Sequence, residues 1–90
     1  MNVLLVTHTL KNHHKDYSSF FNALKTSCAE WWHYFDTAWI VITPQTADQF
    51  AKLLYLHMEN PDRLLVVKLQ KDYQGWLETD AWDWLNARNF

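Results

Sequence analysis

The sequence predicts an α+β domain of the ferredoxin-like kind, β-α-β-β-α-β, with a four-stranded antiparallel sheet, both helices on one face and a C-terminal extension. Three observations carry that reading. Four short runs rich in β-branched and aromatic residues, "NVLLVTHT", "EWWHYF", "AWIVIT" and "RLLVVKL", have the character of strands. Two intervening runs space their apolar residues as helices do. Only Asp36 and Thr37 part the second and third strand runs, which calls for a tight hairpin. This order is the split βαβ arrangement, with the first and third strands at the centre of the sheet.

Each element follows in turn. Asn2 to Thr9 is apolar on both alternating faces, which suits a central strand. Asp16, Ser18 and Ser19 are N-cap candidates for a helix of about three turns, with Tyr17, Phe20, Phe21, Leu24 and Cys28 as its apolar stripe. Glu30 to Phe35 and Ala38 to Thr43 form the hairpin, and Pro44 ends it. Thr46 caps a second helix, whose Ala47, Phe50, Ala51, Leu54 and Met58 share a face. "ENPD" turns into the fourth strand, Arg63 to Leu69. A core over 1–69 is thus followed by an extension over 70–90, which packs on that core or across a dimer. Within it, Glu78 to Arg88 reads as a short helix capped by Thr79 or Asp80.

Bulk properties narrow the function classes. Ninety residues allow one domain, and 17% of them are aromatic, which offsets the small core of so short a chain. The formal charge of -2 excludes a global basic field for DNA. A single cysteine, Cys28, excludes an intrachain disulfide framework. There is no apolar run of membrane-spanning length, and a strand-like segment begins directly after Met1, so a cytoplasmic domain with no membrane contact is expected. Two helices cover one side of a sheet, yet the first and fourth strands are apolar on both sides. The tail, a second subunit or both must cover the other side, and this argues for a homodimer.

"NVLLVTHTL", "KDY", "WWHYFDTAWIV", "RLLVVKL" and "YQGWL" together resemble the SinR-like small proteins, over roughly 3–77. That family is ferredoxin-like and distantly related to the small nuclease subunit of CRISPR adaptation complexes and to VapD-type toxins. The resemblance implies a dimer in which Gln70 to Gly75 crosses to the other protomer. It also implies where a nuclease would hold its metal, through an aspartate in a "YD" pair ending the first strand. Here that pair is His8-Thr9, and threonine lacks the anionic oxygen a hard Mg²⁺ site needs.

The constellations that could carry chemistry are few. Lys11, His13, His14 and Lys15 precede the first helix, where free N–H groups and the helix dipole suit a phosphate. His8 and the Asp36-Thr37 hairpin share that edge of the sheet, so all could line one cleft, with Tyr17 beside it. The plainer alternative is a solvated loop with Asp16 as an ordinary cap. Trp31, His33 and Trp39 offer flat rings for base stacking, or the aromatic centre of a protein interface. With Trp32 and Tyr34 turned to the helices, Trp31, His33 and Phe35 would lie on the opposite side. Asp36 suits a turn bonding its own backbone better than a catalytic acid. Tyr73, Gly75 and Trp76 could close over a ligand or simply pack.

No histidine or cysteine spacing matches a zinc pattern, there is no glycine-rich phosphate loop, and Cys28 has no basic neighbour to activate it. The expectation is therefore a non-catalytic homodimeric module, without metal or cofactor, for a phosphate-bearing ligand: a nucleotide, a signalling oligonucleotide or a short single strand. Its ligand-binding residues would come from His8, Lys11, His13, His14, Lys15, Tyr17, Trp31, His33, Asp36, Trp39 and Trp76. Size and resemblance point to sequestration of a nucleotide signal in phage-bacterium defence or anti-defence. The alternatives are a metal-dependent nuclease of the CRISPR-adaptation or VapD type and an antitoxin-like protein-interaction module.

Overall fold

A computed structural model describes all residues from Met1 to Phe90. Its elements are β1 (Asn2–Thr9), α1 (Ser18–Thr26), β2 (Glu30–Phe35), β3 (Ala38–Thr43), α2 (Ala47–Tyr55), β4 (Arg63–Lys68) and α3 (Thr79–Asn86). The four strands form one antiparallel sheet in the order β2-β3-β1-β4, so β1 and β3 are central.

Register assigns every side chain to a face, because directly paired residues lie side by side. Leu4 pairs with Val41 and Val6 with Trp39. These four, with Phe20 and Leu24 of α1 and Phe50 and Leu54 of α2, make the main core. The helices reach that face by different local means. At α2 the Thr46 hydroxyl accepts from the Gln49 N–H while the Gln49 side chain accepts from the Thr46 N–H, a complete capping box. Tyr17 stands immediately before α1 and makes no side-chain cap. Asp16 instead accepts the Ser18 N–H at 2.9 Å, the local turn that short carboxylates favour. Cys28 lies beyond the end of α1 and packs half-buried against the same core.

The opposite face is covered within the chain. Residues 70–90 fold back so that Leu85 of α3 is buried against Val3 and Ile40, with Trp32, Trp82 and Trp84 packed around them. Arg88 fastens this layer by an ion pair to Glu30 at 3.0 Å and by lying 4.2 Å over the Trp84 ring. Coverage stops at the edge strand β4, where Leu65 and Val67 stay exposed.

Four expectations need correction. From Trp31 to Tyr34 the faces of β2 are the reverse of those set out above, while Phe35 lies opposite the helices as expected. Trp31 pairs with Val41 and Trp32 with Ile40, so Trp31 lies on the helix side and Trp32 under α3. Alternation alone could not set this phase, since both faces of β2 are aromatic. A register shift between Trp32 and Phe35 then turns Phe35 to the Trp32 side, while His33 keeps to the side of Trp39. The fourth strand ends at Lys68 rather than Leu69, although the Leu69 N–H still donates to the Val3 carbonyl. The last helix is confined to Thr79–Asn86, and Glu78 precedes it without a side-chain cap.

Candidate functional site

Ser18, Phe21, Asn22 and Lys25 recur at i, i+3, i+4 and i+7 and so form one flank of α1. That flank borders the β2 edge of the sheet. Together with His33 and Trp39 it encloses an open groove of about 350 Å³. The His33 ring stacks on Trp39 at 3.7 Å between centroids and 9° between planes. Trp31 lies 5.4 Å from Trp39 and is 43% exposed, so it offers a ring face to solvent. The Lys25 ammonium sits 4.9 Å above Trp31 and 5.7 Å above Trp39. It makes no ion pair.

Behind the groove, the indole N–H of Trp39 donates to Nε2 of the buried His8 at 3.1 Å. That bond requires the tautomer with its proton on Nδ1. Burial holds the His8 pKa below its ordinary value, and the neighbouring His33 adds to the effect. His8 is therefore neutral at pH 7 and positions Trp39. Protonation would place a charge where an N–H already points.

A pH dependence follows. Because the folded pKa lies below the unfolded value of about 6.5, the unfolded chain takes up the proton first as pH falls. The contribution of His8 is complete above about pH 6.5 and is lost as pH falls from there through the folded pKa. Urea unfolding between pH 7 and pH 5 should show stability falling by at most about 1.4 kcal/mol per pH unit from this one group. A His8→Gln variant should flatten that part of the curve; an identical slope would rule out His8 as its source.

The loop over 10–17 turns the other way, towards the turn between α2 and β4. The Lys15 ammonium donates to the His57 carbonyl at 3.1 Å and lies over the Tyr17 ring. The Tyr17 hydroxyl donates to Asp62 at 2.7 Å, and the Lys11 N–H donates to the same oxygen at 2.8 Å. Desolvation pushes the Asp62 carboxyl up, but donors from Lys11, Tyr17 and Glu59 and the charge of Lys15 outweigh it and hold the pKa below the usual value. Desolvation and the Asp62 bond raise the Tyr17 phenol. At the start of α1, the backbone N–H of Ser18, followed by its side chain, lowers the pKa of Asp16.

The structure thus separates the residues singled out in sequence. Trp31, His33, Trp39 and His8 come together, with His33 and Trp39 lining the groove, Trp31 beside Trp39 and His8 behind it. Lys11, Lys15 and Tyr17 belong to the Asp62 cluster, and His13 and His14 are exposed on the same loop. The end of β1 and the hairpin do share an edge, where the His8 N–H donates to the Thr37 carbonyl. The small cleft there is lined by His8 and Thr37, with Thr7, Thr9 and Arg63 among others, but by no residue of the basic loop. Asp36 is exposed in the turn, and its carbonyl lies 3.3 Å from His33 Nε2. Trp76 stands 99% exposed at a separate cleft under the tail.

Lys25 was not singled out in sequence. The signal was present, one turn beyond Phe21 on the border of the apolar stripe, but which flank meets β2 depends on tertiary packing. No three histidine, cysteine or acidic side chains converge in a metal-binding geometry. Burial raises the Cys28 pKa and keeps it a thiol. No helix is long and apolar enough to cross a membrane. In comparisons with protein-family models, curated proteins and solved structures, nothing matches this chain.

Proposed function

We propose that this chain is a non-catalytic binding module for a phosphate-bearing ligand with an aromatic base, acting as a homodimer. The carrying observation is the aromatic shelf of Trp31, His33 and Trp39 beneath the Lys25 ammonium. A base stacked on the exposed rings gains about 1–3 kcal/mol. Its phosphate would then lie near Lys25, with Ser18 and Asn22 as hydrogen-bonding neighbours. The groove volume of about 350 Å³ falls within the roughly 300–1,000 Å³ of small-molecule sites. Lys25 thereby takes the part that the sequence assigned to Lys11, His13, His14 and Lys15, whose loop packs towards Asp62.

The same proposal includes the ferredoxin-like fold, the SinR-like kinship, a cytoplasmic setting and the sequestration of a nucleotide signal in phage-bacterium defence. Support for the fold is the β-α-β-β-α-β order with β1 and β3 central. Support for the dimer is the apolar edge left by Leu65 and Val67, which the tail does not reach. Exposed Tyr55 and Leu56 at the end of α2 favour a second reading, a protein-interaction module. The metal-dependent nuclease has no such support: His8 is committed to Trp39, and no ligand set converges.

Mass spectrometry of small molecules released from denatured protein identifies the ligand class, and calorimetry with nucleotides and short oligonucleotides follows. Lys25→Ala should weaken binding about 5–10-fold, the loss of one charged contact. Trp31→Ala should weaken it by a similar factor. Unchanged affinity in both variants would remove the ligand from this groove, and a panel without any binder would move the assignment to a protein partner.

A further inference from the structure

The cleft under the tail has different chemistry from the α1 groove. It encloses about 230 Å³ between the sheet and residues 69–90, and its walls are mainly aromatic. Tyr73 stacks on Trp82 at 6.1 Å and packs on Phe90 at 5.3 Å, while Trp32 and Trp76 complete the aromatic wall. Gly75 leaves open space beside Trp76, since a β-carbon there would meet nothing within 4 Å.

One charged side chain, Asp72, lies on the cleft wall, and it has no ion-pair partner. The basic residues of the tail are engaged elsewhere. Lys71 donates to the Asn86 and Arg88 carbonyls at the end of α3, and Arg88 pairs with Glu30. The wider field has the same sign. Residues 70–90 hold four acidic residues against two basic ones, whereas residues 1–69 balance six against six. The net charge of the chain therefore resides in the segment that builds this cleft.

From this arrangement we infer a second binding site, for a small organic cation with an apolar body such as a quaternary ammonium compound. Aromatic faces attract a cation through their quadrupoles, and a methylated ammonium presents apolar surface to them without needing hydrogen-bond acceptors. Asp72 supplies the opposite charge at the rim. A neutral apolar ligand would cover that carboxylate without compensating it, and an anion would be repelled. The site goes beyond the nucleotide reading and is independent of it.

The test uses the full chain with choline and its uncharged isostere 3,3-dimethylbutan-1-ol, followed by calorimetry. Choline should bind at least about tenfold more tightly, a preference of about 1.4 kcal/mol. Asp72→Asn should abolish the preference, and Trp76→Ala should weaken choline about fivefold. Both residues are exposed, so neither variant threatens the fold. Lys25→Ala should leave choline binding unchanged, which separates this site from the α1 groove. Equal affinity for the two compounds, or no saturable choline binding, would overturn the inference.

Discussion

Trp39→Ala is expected to lower stability by about 4–8 kcal/mol, a large share of the margin of a chain this size. Truncating a buried tryptophan costs about 3–5 kcal/mol through lost apolar burial and the cavity left behind. Trp39 is 2% exposed, so the full range applies. The substitution also strips His8 Nε2 of its donor, and an orphaned buried acceptor adds about 1–3 kcal/mol. A ninety-residue domain has roughly 5–13 kcal/mol in total. Trp39→Phe separates the two contributions, since it keeps a ring under His33 but removes the N–H. Urea titration should place that variant about 1–3 kcal/mol below the parent. A loss below about 1 kcal/mol for the alanine variant would mean that Trp39 is not the hub of the groove.

Phe50→Ala should cost about 3–5 kcal/mol by the same cavity argument. Phe50 is fully buried and belongs to the cluster that joins α2 to Leu4, Val6 and Val41. Leu56→Ala on the same segment is the control, because Leu56 is 80% exposed and its truncation should fall within about 0.5 kcal/mol of the parent. Comparable losses at both positions would contradict the burial of α2. Because no residue of α2 lines the groove, Phe50→Ala should weaken the fold without altering ligand affinity in the fraction that remains folded.

Much of the architecture was legible because strand and helix leave different periods in a sequence. "NVLLVTHT", "EWWHYF" and "AWIVIT" became strands with the expected ends, and the Thr46 box marked the start of α2. Trp31, Trp32, His33, Tyr34 and Phe35 were harder. A strand with rings on both sides fits either phase, and only its pairing with Val41 and Ile40 chooses one. The surroundings of the basic loop were hidden for another reason. Its charges invite an anion when read alone, and the sequence does not show that Asp62, some fifty residues away, claims the Lys11 amide and the Tyr17 hydroxyl. The role of Lys25 was likewise hidden, since a helix pattern shows which face is apolar and not which strand borders its flank.

The closure of the sheet by α3 also bears on how the protein is made. Val3, Leu5, Ile40 and Ile42 are synthesised well before Leu85, which covers them in the folded chain. At about 5–20 residues per second, ribosomal synthesis needs roughly 2–9 s to travel from Ile42 to Leu85. A chain that has not reached Leu85 leaves that greasy face uncovered, with Trp32 at its border. The last dozen residues therefore act as a late seal, and a premature stop before Leu85 would release a chain prone to aggregate.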